Sequence, residues 1–283
     1  MTPKTVLLIK TLRLFCIFDF YMKHLIYLIT FLSISVHSQE FIETSFIKDT
    51  KLEADRFVSV SSFEATFYIF DNVLFKKEKN SKGIDIGYNN FQLGDITSVN
   101  TFNPLKINLF YKDFNTVVIL DNRMAEITKI DFNALEEQKY VTHVSTGYDN
   151  TIWVFNENNQ QLELYDYKTK TTRAKSMPIQ NNVLDIKSNY NTCWVLTEKY
   201  LYIYNYFGSL IKKIKNKGFT AFDQSNENII LKKENTLFFL KNESDKIIPI
   251  KLPNLLIDAF FVTKETLYIY DNETLHEYQI KTI

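Results

Sequence analysis

The chain has 283 residues, 45% of them hydrophobic and 15% aromatic, which is enough for a sizeable core and too apolar for a disordered polymer. Its 33 Lys+Arg are balanced by 33 Asp+Glu. A formal charge of zero excludes the bulk basic excess of a non-specific nucleic-acid binder, and there is no acidic tail.

Residues 1–21 read as an upstream extension ahead of a secretory leader over 22–38. Met22-Lys23-His24 is a short basic region, Leu25 to Val36 an apolar run, and Ser38 a small residue before Gln39. Cleavage is expected between Ser38 and Gln39, delivering 39–283 to the periplasm or the exterior. The apolar run is shorter than the ~20 residues of a spanning helix. The alternative is a signal anchor in the inner membrane, which has to accommodate Lys10, Arg13 and Asp19. Phe15 stands before Cys16, where a lipoprotein signal needs a small residue. Cys16 precedes the cut, so Cys193 is the one thiol expected after it, and no internal disulfide can form.

Beyond Gln39 the pattern is strand almost throughout. Runs such as TFYIFD from Thr66, TIWVFNE from Thr151, YLYIYNYF from Tyr200 and TLYIYDN from Thr266 are β-branched or aromatic and are bounded by Asn, Asp, Lys or Gly. With only 6 Gly in the chain, Asn and Asp are expected to make the turns, because they close turns through their side chains and tolerate positive φ. The densest stretch, 103–122, holds two very apolar strands around a Lys112-Asp113-Phe114-Asn115 turn. It reads as the best-packed unit, with Phe114 at a hairpin tip as a candidate partner contact. DFNALEEQ at 131–138 is the one helix-compatible segment and is expected to form a single turn or a loop. The loops at 76–95 and 131–141 are long enough to build a binding face.

Six tracts each lead into an apolar anchor: Val60, Val99, Val144, Ile186, Phe222 and Ala259, at spacings of 39, 45, 42, 36 and 37 residues. That period is close to the roughly 40–45 residues of a four-stranded propeller blade. The third unit gives the plainest strands: VTHVS, TIWVFNE, QLELYDYK and TTRAKSM. The last unit has room for three strands only. The spare segment 40–49 is therefore expected to supply its outer strand, which ties both ends together and removes an exposed edge. The expectation is an all-β, six-bladed propeller over 39–283, with a seventh partial blade from 40–57 as the alternative.

The six anchors and the LYDYKTKT type of turn resemble six-bladed propellers of the TolB-like class over about 40–283. No Trp-Asp, kelch, Tyr-Trp-Thr-Asp or sialidase-type motif accompanies them. In propellers that act as enzymes the innermost strands supply the chemistry. The positions before the anchors are Ser59, Ser98, His143, Asp185, Ala221 and Asp258. Alternation puts them on the face opposite the anchor. His143, Asp185 and Asp258 would then ring one level of the channel, as a divalent-cation site or an acid–base set. Lactonase-type propellers hold calcium on axial side chains, which the resemblance carries over only as an expectation. Ser59, Ser98 and Ala221 do not supply the Asn and Glu ligands of such sites, and solvated channel residues are the plainer reading.

His24, His37, His143 and His276 lack metal-ligand spacing, and no nucleophile elbow, Walker loop or dinucleotide fingerprint is present. Trp153 and Trp194 hold equivalent second-strand positions and are expected to pack between blades. Asn242-Glu243-Ser244 and Asn272-Glu273-Thr274 fit the glycosylation triplet. The expected function is a secreted or periplasmic, monomeric, non-catalytic scaffold for a protein partner in the bacterial cell envelope, without cofactor or nucleic acid. It meets a membrane only through that partner or an uncleaved leader. The alternatives are a lactonase- or glycosidase-like hydrolase using an axial calcium or other divalent cation, and a carbohydrate-binding module.

Overall fold

The computed structural model describes residues 22–23, 40–79, 83, 85–225, 228–241 and 245–281. The leader beyond Met22 and Lys23, with Cys16, His24, His37 and the Ser38/Gln39 junction, lies outside the described residues, as does the triplet at Asn242. The unit that begins at Phe41 is built from six four-stranded antiparallel sheets. Blade one is β2 (Arg56–Val60), β3 (Thr66–Phe70), β4 (Val73–Lys77) and β5 (Ile86–Tyr88). Blade two is β6 (Ser98–Asn100), β7 (Ile107–Tyr111), β8 (Thr116–Leu120) and β9 (Glu126–Asp131). Blade three is β10 (Val141–Thr146), β11 (Thr151–Asn156), β12 (Gln161–Asp166) and β13 (Thr171–Lys175). Blade four is β14 (Val183–Ser188), β15 (Thr192–Thr197), β16 (Tyr200–Asn205) and β17 (Leu210–Lys215). Blade five is β18 (Ala221–Ser225), β19 (Asn228–Lys233), β20 (Thr236–Leu240) and β21 (Ile247–Pro249). Blade six is β22 (Ala259–Thr263), β23 (Thr266–Asp271) and β24 (Thr274–Ile280), completed on its outside by β1 (Thr44–Lys51). The chain is a six-bladed β-propeller. Segment 131–138 contributes only a 3-10 turn at Phe132–Ala134, and no helix among the described residues is long and apolar enough to cross a membrane.

The first strand closes the ring as the alternation at the N-terminus predicts, with shifted bounds. β1 begins at Thr44 rather than 40 and pairs antiparallel with β24 from Thr44↔Ile280 to Lys51↔Thr274. The residues before it reach the neighbouring blade. Ile42 bridges Ile250, donating to the Pro249 carbonyl and accepting from the Lys251 N–H, both at 2.9 Å. One segment therefore ties blades five and six together. Ile42 is buried at 2% exposure in the core shared by Ile230, Leu237, Ile269 and Tyr278.

The middle strands are buried on both faces. All five residues of β7 and all five of β8 are buried, Asn108 and Thr116 among their apolar neighbours included. The apolar clusters lie between blades rather than within them. Trp153 of blade three packs against Ile186 and Cys193 of blade four, and Trp194 packs against Phe222 of blade five. The Cys193 thiol is fully buried, and burial pushes its pKa well up.

Asn does the turn work that Gly does elsewhere. Asn72, Asn115 and Asn235 sit at the second-to-third-strand turns of blades one, two and five. Each donates to a carbonyl of the connection leading to the next blade (Gly94, Lys139, Leu255) and accepts an N–H from it (Ile96, Val141, Ile257). Asn72 and Asn115 do so at φ of 57° and 49°, a region that Asn tolerates better than other side chains. At the third-to-fourth turns, Asp121, Asp166 and Asn205 accept two backbone N–H groups each.

The connection at 131–141 is pinned rather than left as an adaptable loop. Lys139 is buried at 3% exposure and pairs with the fully buried Glu163 at 2.8 Å. Asn156 and Thr172 donate to the same carboxylate. These partners hold the Glu163 pKa below the usual range against its burial. Glu163→Gln should leave the buried Lys139 ammonium with only the exposed Glu137 carboxylate, 3.9 Å away, as counter-charge and cost roughly 3–5 kcal/mol in urea unfolding. Ile42→Ala should cost roughly 2–5 kcal/mol. Deleting 40–51 should convert a monodisperse species on size-exclusion chromatography into aggregates, because it uncovers the edge of β24.

Candidate functional site

Antiparallel strands place the first-to-second and third-to-fourth turns of every blade on one face, here the upper face. The second-to-third turns and the blade-to-blade connections form the lower face. The inner strands β2, β6, β10, β14, β18 and β22 surround the axis.

β10 and β14 are equivalent in detail. Each carries a bulge, at Thr142 and Leu184. Val144 opposes Val154 as Ile186 opposes Val195, and Ser145 opposes Trp153 as Lys187 opposes Trp194. His143 and Asp185 thus hold matching positions. They line one cavity of about 270 Å³ with Ser98, Asn100, Lys112 and Lys187. Asp258 is not among its lining residues. It is exposed ahead of β22, where the Asn272 N–H donates to it at 3.4 Å. The cause is a shift of register. Five of the six anchors pack toward the preceding blade. Ala259 instead faces blade one, while Phe260 and Val262 face blade five. A one-residue slip reverses every side chain of a strand, which takes Asp258 out of the level shared by His143 and Asp185.

The residue that sequence reasoning missed is Asp223, two places beyond Ala221 on the same face. It is buried at 6% exposure and accepts the Val262 N–H at 2.7 Å. Alternation carried one step past the anchor finds both Asp223 and Lys187. Lys187 lies 3.9 Å from Asp185 and feels the charge of Asp223 as well. Its ammonium is held above its ordinary pKa, chiefly by Asp185. Asp185 is itself held up, because loss of water in the channel wall outweighs Lys187 and the N–H groups of Ile186 and Phe222. Both side chains keep about a third of their surface open to the channel, 34% and 28%, so their coupling is screened. Burial, with Lys112 adding repulsion, pushes His143 down to about 4 and leaves it neutral at pH 7. Burial pushes Asp223 up to about 6.

These groups are tied between blades. The Thr142 hydroxyl lies 3.0 Å from Nδ1 of His143, and the Leu184 carbonyl of the next blade faces its ring. Asp185 faces the Phe222 N–H, and Asp223 holds the Val262 N–H. Ser59 meets Thr101 at 2.5 Å, Asn100 donates to Ser145 at 3.1 Å, and Ser188 donates to Ser145 at 2.7 Å. Arg56 donates to the Ile96 and Thr97 carbonyls at 2.9 Å. Adjacent inner strands share no backbone ladder; Arg56, His143, Asp185 and Asp223 reach backbone groups of the neighbouring blade instead, and the hydroxyl and amide contacts link side chain to side chain. Among the described residues, no group of three or more His, Cys, Asp or Glu is placed to hold a metal ion.

Exposed aromatics mark the loop faces. Phe114 stands 49% exposed on the lower face, on a turn clamped by Asn115. On the upper face Phe102 meets Tyr190 edge-on at 5.1 Å. Tyr148, Tyr206 and Phe207 form a chain of ring contacts at 5.9 and 4.0 Å.

Neither a protein-family model nor a curated protein matches the chain. Solved structures match in fold. Virginiamycin B lyase from Staphylococcus aureus aligns at a TM-score of 0.59 and 10% identity, over 84% of this chain and 100% of that one. A chain of the mitotic checkpoint complex aligns at 0.58 and 9% identity, over 87% and 94%. PorZ, a surface component of the type-IX secretion system of Porphyromonas gingivalis, aligns at 0.50 and 14% identity over 79% of this chain, which spans 32% of that one. At such identities the likeness extends to the propeller fold.

The two axial titrations oppose each other. His143 binds fewer protons folded than unfolded between about 4 and 6.5, so its contribution is present above 6.5 and lost on acidification. Asp223 binds more protons folded between 3.8 and about 6, so its contribution falls as pH rises through that window. Asp223→Asn should therefore lose more stability than wild type between pH 7 and 4.5, and His143→Gln less. Urea midpoints at the two pH values check both.

Proposed function

We propose that this chain is an exported, monomeric, non-catalytic propeller that docks a protein partner in the bacterial cell envelope. The observation that carries this reading is the use of the axial polar groups. His143, Asp185 and Asp223 are engaged with the next blade's backbone, and the two carboxylates share Lys187. Little is left for an acid–base pair, whereas Phe114 on the lower face and Phe102, Tyr190, Tyr206 and Phe207 on the upper stand exposed on their turns. The leader at 22–38 supports export. Two fold neighbours, from the mitotic checkpoint complex and the type-IX secretion system, belong to assemblies, which supports the reading by analogy.

One observation favours a second reading, an axial hydrolase of lactones or sugars assisted by calcium. His143 and Asp185 share a water-accessible cavity. Turnover lost in a folded Asp185→Asn protein would establish that reading and overturn the first.

N-terminal sequencing of the exported protein should begin at Gln39; an intact leader in the membrane fraction would instead identify a signal anchor. A photocrosslinking residue at Phe114 should trap a discrete envelope protein in cells. The same residue at the buried Phe132 should trap none.

A further inference from the structure

We propose that the open edge of β17 takes up an extended acidic segment of a partner protein as a fifth strand of blade four. The proposal rests on the scaffold reading and names the chemistry of one partner.

β17 reads LIKKIK and is the outermost strand of its sheet, with no strand paired beyond it among the described residues. Lysines on an edge strand ordinarily keep other chains away. If that were their whole role here, the other outer strands would be built alike. They are not. β5 and β21 carry no charge, β9 mixes Glu126 and Asp131 with Lys129, and the Arg173 and Lys175 of β13 face Asp166 and Glu137. In β1, Lys48 and Lys51 face Glu277 and Glu273. β17 alone holds three cations and no anion. Lys212 is paired with Asp245, but no carboxylate among the described residues lies within ion-pair distance of Lys213 or Lys215.

The same edge exposes apolar surface. Phe207, Leu210 and Ile211 are 64%, 50% and 60% exposed at its upper end. Lys215, Lys213 and, across a bulge at Ile211, Leu210 oppose Tyr200, Tyr202 and Tyr204, so these three share one face of the strand. Lys213 is already fixed over the Tyr200 ring at 3.8 Å and the Tyr202 ring at 5.2 Å, so its ammonium is pre-positioned. An added strand with two acidic residues at alternate positions, followed at the next alternate place by an apolar one, meets all three side chains while its backbone pairs with the free edge. An anionic membrane matches the charges but leaves that edge unpaired, so a protein segment is the better occupant.

The test is fluorescence anisotropy with a labelled peptide alternating Glu and Thr and ending in Val-Thr. Binding is expected to weaken roughly tenfold or more with the double variant Lys213→Glu/Lys215→Glu. It should also be lost when alternate peptide nitrogens are methylated, which keeps the charges and blocks strand pairing. No binding, equal binding by the methylated peptide, or equal binding by the double variant would each overturn the proposal. So would co-sedimentation with phosphatidylglycerol vesicles that the double variant abolishes while the peptide fails to bind. Circular dichroism of the double variant should match wild type, with the urea midpoint lowered slightly by loss of the Lys213–Tyr200 contact. If the peptide fails while Phe114 still crosslinks its envelope protein, the scaffold reading stands and this one falls.

Discussion

Each blade is a sheet with apolar residues on both faces, and the rest of the architecture follows from that constraint. Such a sheet cannot stand alone, because one uncovered face returns its apolar surface to water. A row of such sheets always has two uncovered ends, and a ring has none. The clusters shared between blades, such as Trp153 with Ile186 and Trp194 with Phe222, express this directly. The antiparallel register of β1 on β24 is then a requirement, since it joins the two ends of one chain into the same sheet.

Once the ring exists, its backbone polar groups need partners at places where no ladder runs. At the axis the inner strands meet through side chains: Arg56 to Ile96 and Thr97, Ser188 to Thr146, Asp223 to Val262. On the lower face the asparagines Asn72, Asn115 and Asn235 do the same for the connections. Both devices use polar residues that a search for catalytic groups would select first. A polar ring at a propeller axis is therefore weak evidence of chemistry until its hydrogen bonds have been traced.

Most of the fold was legible in the sequence because propeller strands alternate and their turns are rich in Asn and Asp. The third unit is the plainest case, with VTHVS, TIWVFNE, QLELYDYK and TTRAKSM matching β10 to β13. The closing role of the N-terminal segment could be read as well, because the last unit lacked a strand. The site was less legible. In DAFFV every residue from Ala259 to Val262 is apolar, so nothing in the pattern marks which ones face blade five, and Phe260 rather than Ala259 holds the place of the anchor. Asp223 was hidden because the position before its anchor is Ala221, which draws no attention. Lys139 and Glu163 lie 24 residues apart in different elements, and no local spacing reports their pairing.

The placement of β1 also sets an order of events. His276 and Asp49, in contact across β24 and β1, are separated by 227 positions. The first strand to be made is thus the last that can dock, and five blades must form beside an open gap before it does. Contacts of such separation slow folding, and the waiting edge of β24 can accept the equivalent strand of another molecule as readily as its own. Dilution during refolding favours the intramolecular closure over an exchanged dimer.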